Sequence, residues 1–158
     1  LIGDRVKQYP WYAEACPKPL AYTTQEATSS RTGDLRGMLP DSEKLRYRPM
    51  KLSAQQVLRP DGTLYEADPD SPIVMLGDSF CGVFHFEDCQ HAGLSAHLAK
   101  EIGMPVDLIM AHGSGPLIRG QLARRGAEAV AKKKLVIWTV VSRDLYNYRS
   151  PWRKIPVP

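Results

Sequence analysis

Three short runs hold the residues best suited to chemistry. Gly77-Asp78-Ser79-Phe80 follows the apolar stretch Pro72-Ile73-Val74-Met75-Leu76. Ala111-His112-Gly113-Ser114-Gly115 follows a second such stretch, and Ser142-Arg143-Asp144-Leu145 a third. A serine placed directly after a strand buried on both faces is held on a rigid element. Glycine N–H groups in a neighbouring turn can point at the oxyanion that forms when its hydroxyl attacks an ester. The chemistry this pattern suits is acyl transfer. The plainer alternative gives Asp78 and Ser79 to capping of the helix that follows the strand.

The elements that position these runs are readable from residue 72 onward. Residues 72–77, 104–110 and 135–141 are expected as buried strands, because each is a short continuous apolar run. Leu94, Leu98, Ala99 and Ile102 recur at helical spacing within 91–102; Gly103 is placed to cap that helix and Pro105 to stop it. Leu117, Ile118, Gln121, Leu122 and Arg125 form a second amphipathic pattern, loosened by Gly120 and Gly126. Strand, helix, strand, helix, strand predicts an α/β fold with an open, mainly parallel sheet. Sites in such sheets form beyond the carboxyl ends of the strands, where the three runs lie.

Residues 1–71 read differently. Eight of the 13 prolines fall within the first 72 residues, and proline removes a backbone donor and fixes φ. Residues 1–40 are therefore expected to be largely extended or looped, with one helical turn at 33–39. Short strands are expected at 49–57 and 64–66, around the turn Pro60-Asp61-Gly62-Thr63. The chain divides on this reading into an irregular segment, 1–71, and an α/β core, 72–158.

Composition narrows the class further. The 158 residues are 43% hydrophobic and 24% charged, which is globular and not disordered usage. No apolar run approaches the roughly 18 residues that span a bilayer. The opening Leu1-Ile2-Gly3-Asp4-Arg5 has no apolar h-region and no Met, so a processed product or a piece of a longer protein is expected. Twenty-one basic against 17 acidic residues give a net charge of +4, a balance that suits phosphates, acidic polysaccharides or anionic membrane surfaces and decides nothing about fold. No nucleic-acid-binding signature is present, and Lys132-Lys133-Lys134 is expected to be a solvated helix end, so no nucleic acid partner is expected. Cys16, Cys81 and Cys89 form no CxxC pair; at least one is unpaired within the chain, and a Cys16–Cys89 bridge stays open. No metal and no cofactor is expected.

The run Val74-Met75-Leu76-Gly77-Asp78-Ser79-Phe80 resembles the nucleophile block of SGNH (GDSL-type) hydrolases. It is most similar to the alginate O-acetyltransferase branch, the AlgX/AlgJ-like proteins. There the block is followed by a helix like Ala92 to Ala99, a glycine-containing turn, a strand like Lys133 to Trp138, and an Arg before Asp144-Leu145. The ending Trp152-Arg153-Lys154-Ile155-Pro156 is also similar. The resemblance covers residues 72–158 well and 31–71 loosely. It implies a partial SGNH/flavodoxin-like three-layer α/β/α fold, acting in the periplasm or otherwise outside the cytoplasm on exopolysaccharide hydroxyls, with an acyl donor protein as partner. By position, Ser79 would be the acyl-accepting nucleophile. Its own N–H with that of Gly113 or Gly115 would form the oxyanion hole, and Arg143 would lie near the site.

One element of that family is missing. Its Asp-x-His pair lies upstream of the nucleophile block, whereas residues 1–78 contain no histidine at all. A serine hydroxyl without a base is a weak nucleophile at neutral pH. The base therefore lies before Leu1, in an N-terminal part of the same protein, or another histidine serves. His112, at a strand end, and His85, expected on a loop after Ser79, are the candidates for base or substrate ligand. His91 and His97 are expected on a solvated helix face, and Cys81 as a packed thiol. Two functions follow: an O-acetyltransferase or esterase working through an acyl-serine, or a non-catalytic polysaccharide-binding or assembly module that keeps the fold.

Overall fold

Ile73–Gly77 is a five-residue strand in which every residue is buried, as its unbroken apolar run requires. It is the central strand, β3, of a three-stranded parallel sheet ordered β4-β3-β5, with β4 at Asp107–Met110 and β5 at Leu135–Trp138. Val74 pairs with Asp107 and Gly77 with Met110 on one side; Ile73 pairs with Leu135 and Leu76 with Trp138 on the other. The computed structural model describes residues 1–113, 115–146 and 154–156.

Alternation along β3 divides the core into two layers. Ile73 and Met75 face one cluster with Ala96, Leu98, Ala99 and Ile102. Val74 and Leu76 face the other, with Ile109, Ile118 and Leu122. The chain leaves β3, returns as β4 on one side, and then crosses to β5 on the opposite side, so the two connections cover opposite faces of the sheet. This is the expected α/β architecture, a parallel sheet with helices on both faces.

The first layer is completed by residues that precede the sheet. Val6, Cys16, Tyr22, Val57 and Tyr65 are buried in the same cluster as Ile73 and Met75. Val6 belongs to helix α1 (Ile2–Lys7), and α2 follows at Tyr12–Ala15. These two short helices correct the expectation that, apart from one turn at 33–39, residues 1–40 are extended or looped. Packing decides it: α1 lies on the later helix α6 (Leu94–Ile102), and Tyr12 Oη donates to Ile102 O at 2.5 Å. An isolated helix this short is unstable in water and is stabilised by such tertiary contact.

Strand β1 (Thr23–Arg31) pairs antiparallel with β2 (Met50–Leu58) along its full length, from Thr23 opposite Leu58 to Arg31 opposite Met50. One-turn helices α3 (Asp34–Gly37) and α4 (Asp41–Lys44) lie between them. The turn after β2 forms as expected: Gly62 N–H donates to Arg59 O, and Asp61 accepts from the Thr63 N–H and hydroxyl. The ribbon docks on the segment after Ser79 through Val57 N–H to His91 O at 3.0 Å and through His97 Nε2, 2.9 Å from Gln55 O. His91 sits in a turn before α6 with φ +60°, not on the helix.

Beyond Ser79 the chain forms α5 (Ser79–Gly82) and continues as a π-helical turn over Val83–Glu87, where a loop was expected. The second amphipathic pattern breaks into a 3-10 turn (Gly115–Ile118), α7 (Arg119–Ala123) and α8 (Gly126–Ala131). After β5, α9 covers Ser142–Tyr146. Lys133 is not solvated. Its side chain is 3% exposed, its Nζ lies 2.9 Å from Asp107, and it donates to the carbonyls of Pro69 and Ser71. All three cysteines are buried free thiols, so no Cys16–Cys89 bridge forms. Among the described residues no helix is long and apolar enough to cross a membrane.

Candidate active site

Ser79 is delivered by a sharp exit from β3. Asp78 turns the chain in an extended conformation, and its carboxylate accepts from Phe80 N–H at 2.9 Å, capping α5. The aspartate of the Gly-Asp-Ser run therefore positions the serine. Gly77 permits the exit because the next helix returns directly over it. A Cβ at that position would lie 2.3 Å from Cys81 Sγ and 2.6 Å from Thr139 Oγ1. Those two atoms are themselves 2.8 Å apart, and Thr139 Oγ1 also donates to Leu76 O. Cys81 is thus a packed thiol, its pKa raised by burial. Among the described residues nothing hydrogen-bonds the Ser79 hydroxyl, which leaves it available to a substrate.

Ser79 opens into a groove of about 510 Å³, within the usual range for small-ligand sites. Phe80, Val83 and Phe84 form the apolar wall beside it, and Met50 and Leu52 at the end of the β1–β2 ribbon form the opposite wall. The polar lining is a row of four side chains. His112 Nε2 lies 4.0 Å from Glu87 Oε1, Glu87 Oε2 lies 3.9 Å from Arg31, and Arg31 bonds Asp88 at 2.7 Å. Arg31, Glu87 and Asp88 escaped the sequence reading. The signal available for Glu87 was its place eight residues after Ser79, near two turns along a helix; Arg31 had none, because only the ribbon brings it to the groove.

The structure separates the two candidate histidines. His112 lines the groove and its side chain is 69% exposed. His85 is 4% exposed and packs edge-on against Tyr65, Phe86 and His91; its expected placement on a loop after Ser79 is corrected to a core position. Burial, with a smaller contribution from His91, pushes its pKa down to about 4. The unfolded chain, with an ordinary histidine near 6.5, binds this proton more readily than the folded one. Stability is therefore fully present above about pH 6.5 and is expected to fall by on the order of 3 kcal/mol as pH drops to about 4. An NMR titration of the His85 ring checks this. A midpoint near 6.5 would contradict it.

Gly113 follows His112 in a left-handed turn with φ +63°, and Gly115 opens the 3-10 turn. Ser114 between them lies outside the described residues, as do Trp152 and Arg153. Arg143 lies in α9 just beyond β5, and its side chain is outside those described. Among the described residues no cluster of three or more metal-ligating side chains occurs.

No family model and no curated protein matches the sequence. Solved structures do match by shape. The O-acetyltransferase domain of Pseudomonas putida AlgJ superposes with a TM-score of 0.55 over 81% of this chain, at 22% identity. Pseudomonas aeruginosa AlgX superposes with a TM-score of 0.57 over 88% of it, at 14% identity. The fold is of the AlgJ/AlgX type. The chain spans 45% of the AlgJ structure and 30% of the AlgX structure, less than half of either. The Gly77-Asp78-Ser79-Phe80 run and the tertiary fold thus resemble the same branch of proteins, one by local sequence and the other by topology.

Proposed function

We propose that this chain is part of an extracytoplasmic SGNH-like polysaccharide O-acetyltransferase or esterase that works through an acyl-Ser79 intermediate. The observation that carries the reading is Ser79 itself, capped into place at the carboxyl end of the central parallel strand and opening, without a hydrogen-bond partner among the described residues, into a groove lined by His112. Rigid placement of a nucleophile beside an apolar wall and polar groups suits acyl transfer. The Ser79 and Gly113 or Gly115 N–H groups are the proposed oxyanion donors, and Arg143 a proposed substrate contact. The fold shared with an O-acetyltransferase domain supports acyl transfer to a hydroxyl; a polysaccharide acceptor and an acyl donor protein belong to the same proposal.

The test is acyl trapping. The chain is incubated with a chromogenic acetyl ester in imidazole buffer, which supplies a general base, and peptides are mapped by mass spectrometry. One acetyl group on the Ser79 peptide is expected. Acetylation confined to surface lysines would instead support a binding or assembly module.

A further inference from the structure

All three phenylalanines of the chain fall within residues 80–86, directly after Ser79. Two of them are largely exposed, Phe80 to 68% and Phe86 to 52%. Phe80 lines the groove beside the serine, whereas Phe86 is outside its lining. An exposed aromatic ring is ordinary where it stands alone. Phe80 does not stand alone. Val83 and Phe84 continue its wall, three and four residues further along the helical turns, and Met50, 59% exposed, lies across the groove on the ribbon. Contiguous apolar surface inside a groove marks a place for a ligand.

The rest of the lining says what kind of ligand. Glu87 and Asp88 offer carboxylate oxygens, Arg31 a guanidinium that Asp88 holds at 2.7 Å, and His112 an imidazole. A ligand suited to both parts has a flat apolar face and a periphery of hydroxyls. A pyranose ring has that form. Its axial C–H groups carry partial positive charge and complement the negative face of a phenyl ring. Its hydroxyls donate to carboxylates and accept from guanidinium and imidazole N–H groups. An acetyl group makes no use of the polar side and leaves most of a groove of about 510 Å³ unfilled.

We propose that Phe80 is the platform on which the acceptor sugar stacks, and that it decides which edge of the sugar ring points at Ser79; the inference rests on the acyl-serine reading above. The platform is rigidly referenced to the nucleophile. Asp78 accepts the Phe80 N–H at 2.9 Å and caps the turn that carries both residues. A sugar lying flat on the ring therefore holds a fixed orientation toward the serine.

The test uses the three phenylalanines as reporters. The 158-residue chain is labelled with 4-fluorophenylalanine, and its three ¹⁹F resonances are assigned from Phe→Leu variants. Cellohexaose and a hexameric oligouronate are titrated separately to millimolar concentration, with ethyl butyrate as an acyl probe. Saturable movement of the Phe80 resonance with an oligosaccharide is expected, with the Phe86 resonance stationary. Phe80→Ala and Phe80→Leu should each weaken that binding by about tenfold, followed at Phe84, while Phe80→Trp, which keeps an aromatic face, should retain it. Phe86→Leu should bind as the parent does. Parent affinity in Phe80→Leu would overturn the proposal, because apolar bulk would then suffice without a ring. Movement of Phe80 by ethyl butyrate and by neither oligosaccharide would also overturn it, assigning the wall to the acyl group. So would a Phe80 resonance that no probe moves. Acetyl trapping on Ser79 is read separately, so each of these results leaves the acyl-serine reading to stand or fall by its own experiment.

Discussion

Ser79→Ala is expected to lower ester turnover and acyl trapping by at least about 10³-fold while leaving the fold intact. The two halves of this expectation have separate causes. Activity falls because the covalent intermediate has no oxygen on which to form, and water positioned in the groove is a far poorer nucleophile. Stability is unaffected because the Ser79 hydroxyl has no hydrogen-bond partner among the described residues. The cap belongs to the Asp78 carboxylate, and Val83 N–H is accepted by the Ser79 backbone carbonyl, which alanine retains. Thermal unfolding should therefore coincide for the two proteins. A large fall in melting temperature would show that the serine is structural, and unchanged turnover would remove it from the chemistry.

The largest expected effect on stability lies at the other end of the sheet. Asp107 is 1% exposed at the start of β4, with Lys133 Nζ at 2.9 Å and Arg125 also bonded to it. The Lys133 side chain is 3% exposed and spends its remaining donors on the Pro69 and Ser71 carbonyls. Asp107→Ala leaves that ammonium buried among carbonyl dipoles with no anion, whereas Arg125, 30% exposed, can turn to solvent. Breaking one partner of a buried pair costs about 3–5 kcal/mol. At about 2–4 °C per kcal/mol for a chain of this size, the melting temperature should fall by on the order of 10 °C. Asp107→Leu combined with Lys133→Met removes both charges and should recover most of the loss, because the penalty comes from the unpaired charge and not from the absent bond. A double variant as unstable as Asp107→Ala would refute that account.

Legibility in the sequence followed the number of faces each element buries. β3 and α6 were readable because continuous apolar residues, or apolar residues at helical spacing, leave no other way of hiding them. β1 was not, since Thr23 to Arg31 is mostly exposed and is held straight by its ladder to β2 rather than by an apolar stripe. The same logic misled at α1, where the burial of Val6 comes from α6 and not from any local pattern. Among the charges, Lys132-Lys133-Lys134 is a uniform run in one dimension. Only packing distinguishes the middle lysine, buried against Asp107, from its exposed neighbour Lys132.

The candidate site divides along the same line. By itself the sequence determined that a serine follows a buried strand, that glycine must precede the turn, and that a histidine ends the next strand, because these depend on local backbone geometry and on hydrophobic runs. Which histidine shares a groove with Ser79 was decided by register: Gly77 opposite Met110 brings His112 to the mouth, while the π-helical turn rotates His85 into the core. The polar row from His112 through Glu87 and Arg31 to Asp88 was decided by ribbon docking, which brings residue 31 against residues 87 and 88. Contacts between residues so far apart in the chain leave no periodic trace in it. They exist because separate apolar faces must be buried together, and the polar groups at the rims of those faces meet as a consequence.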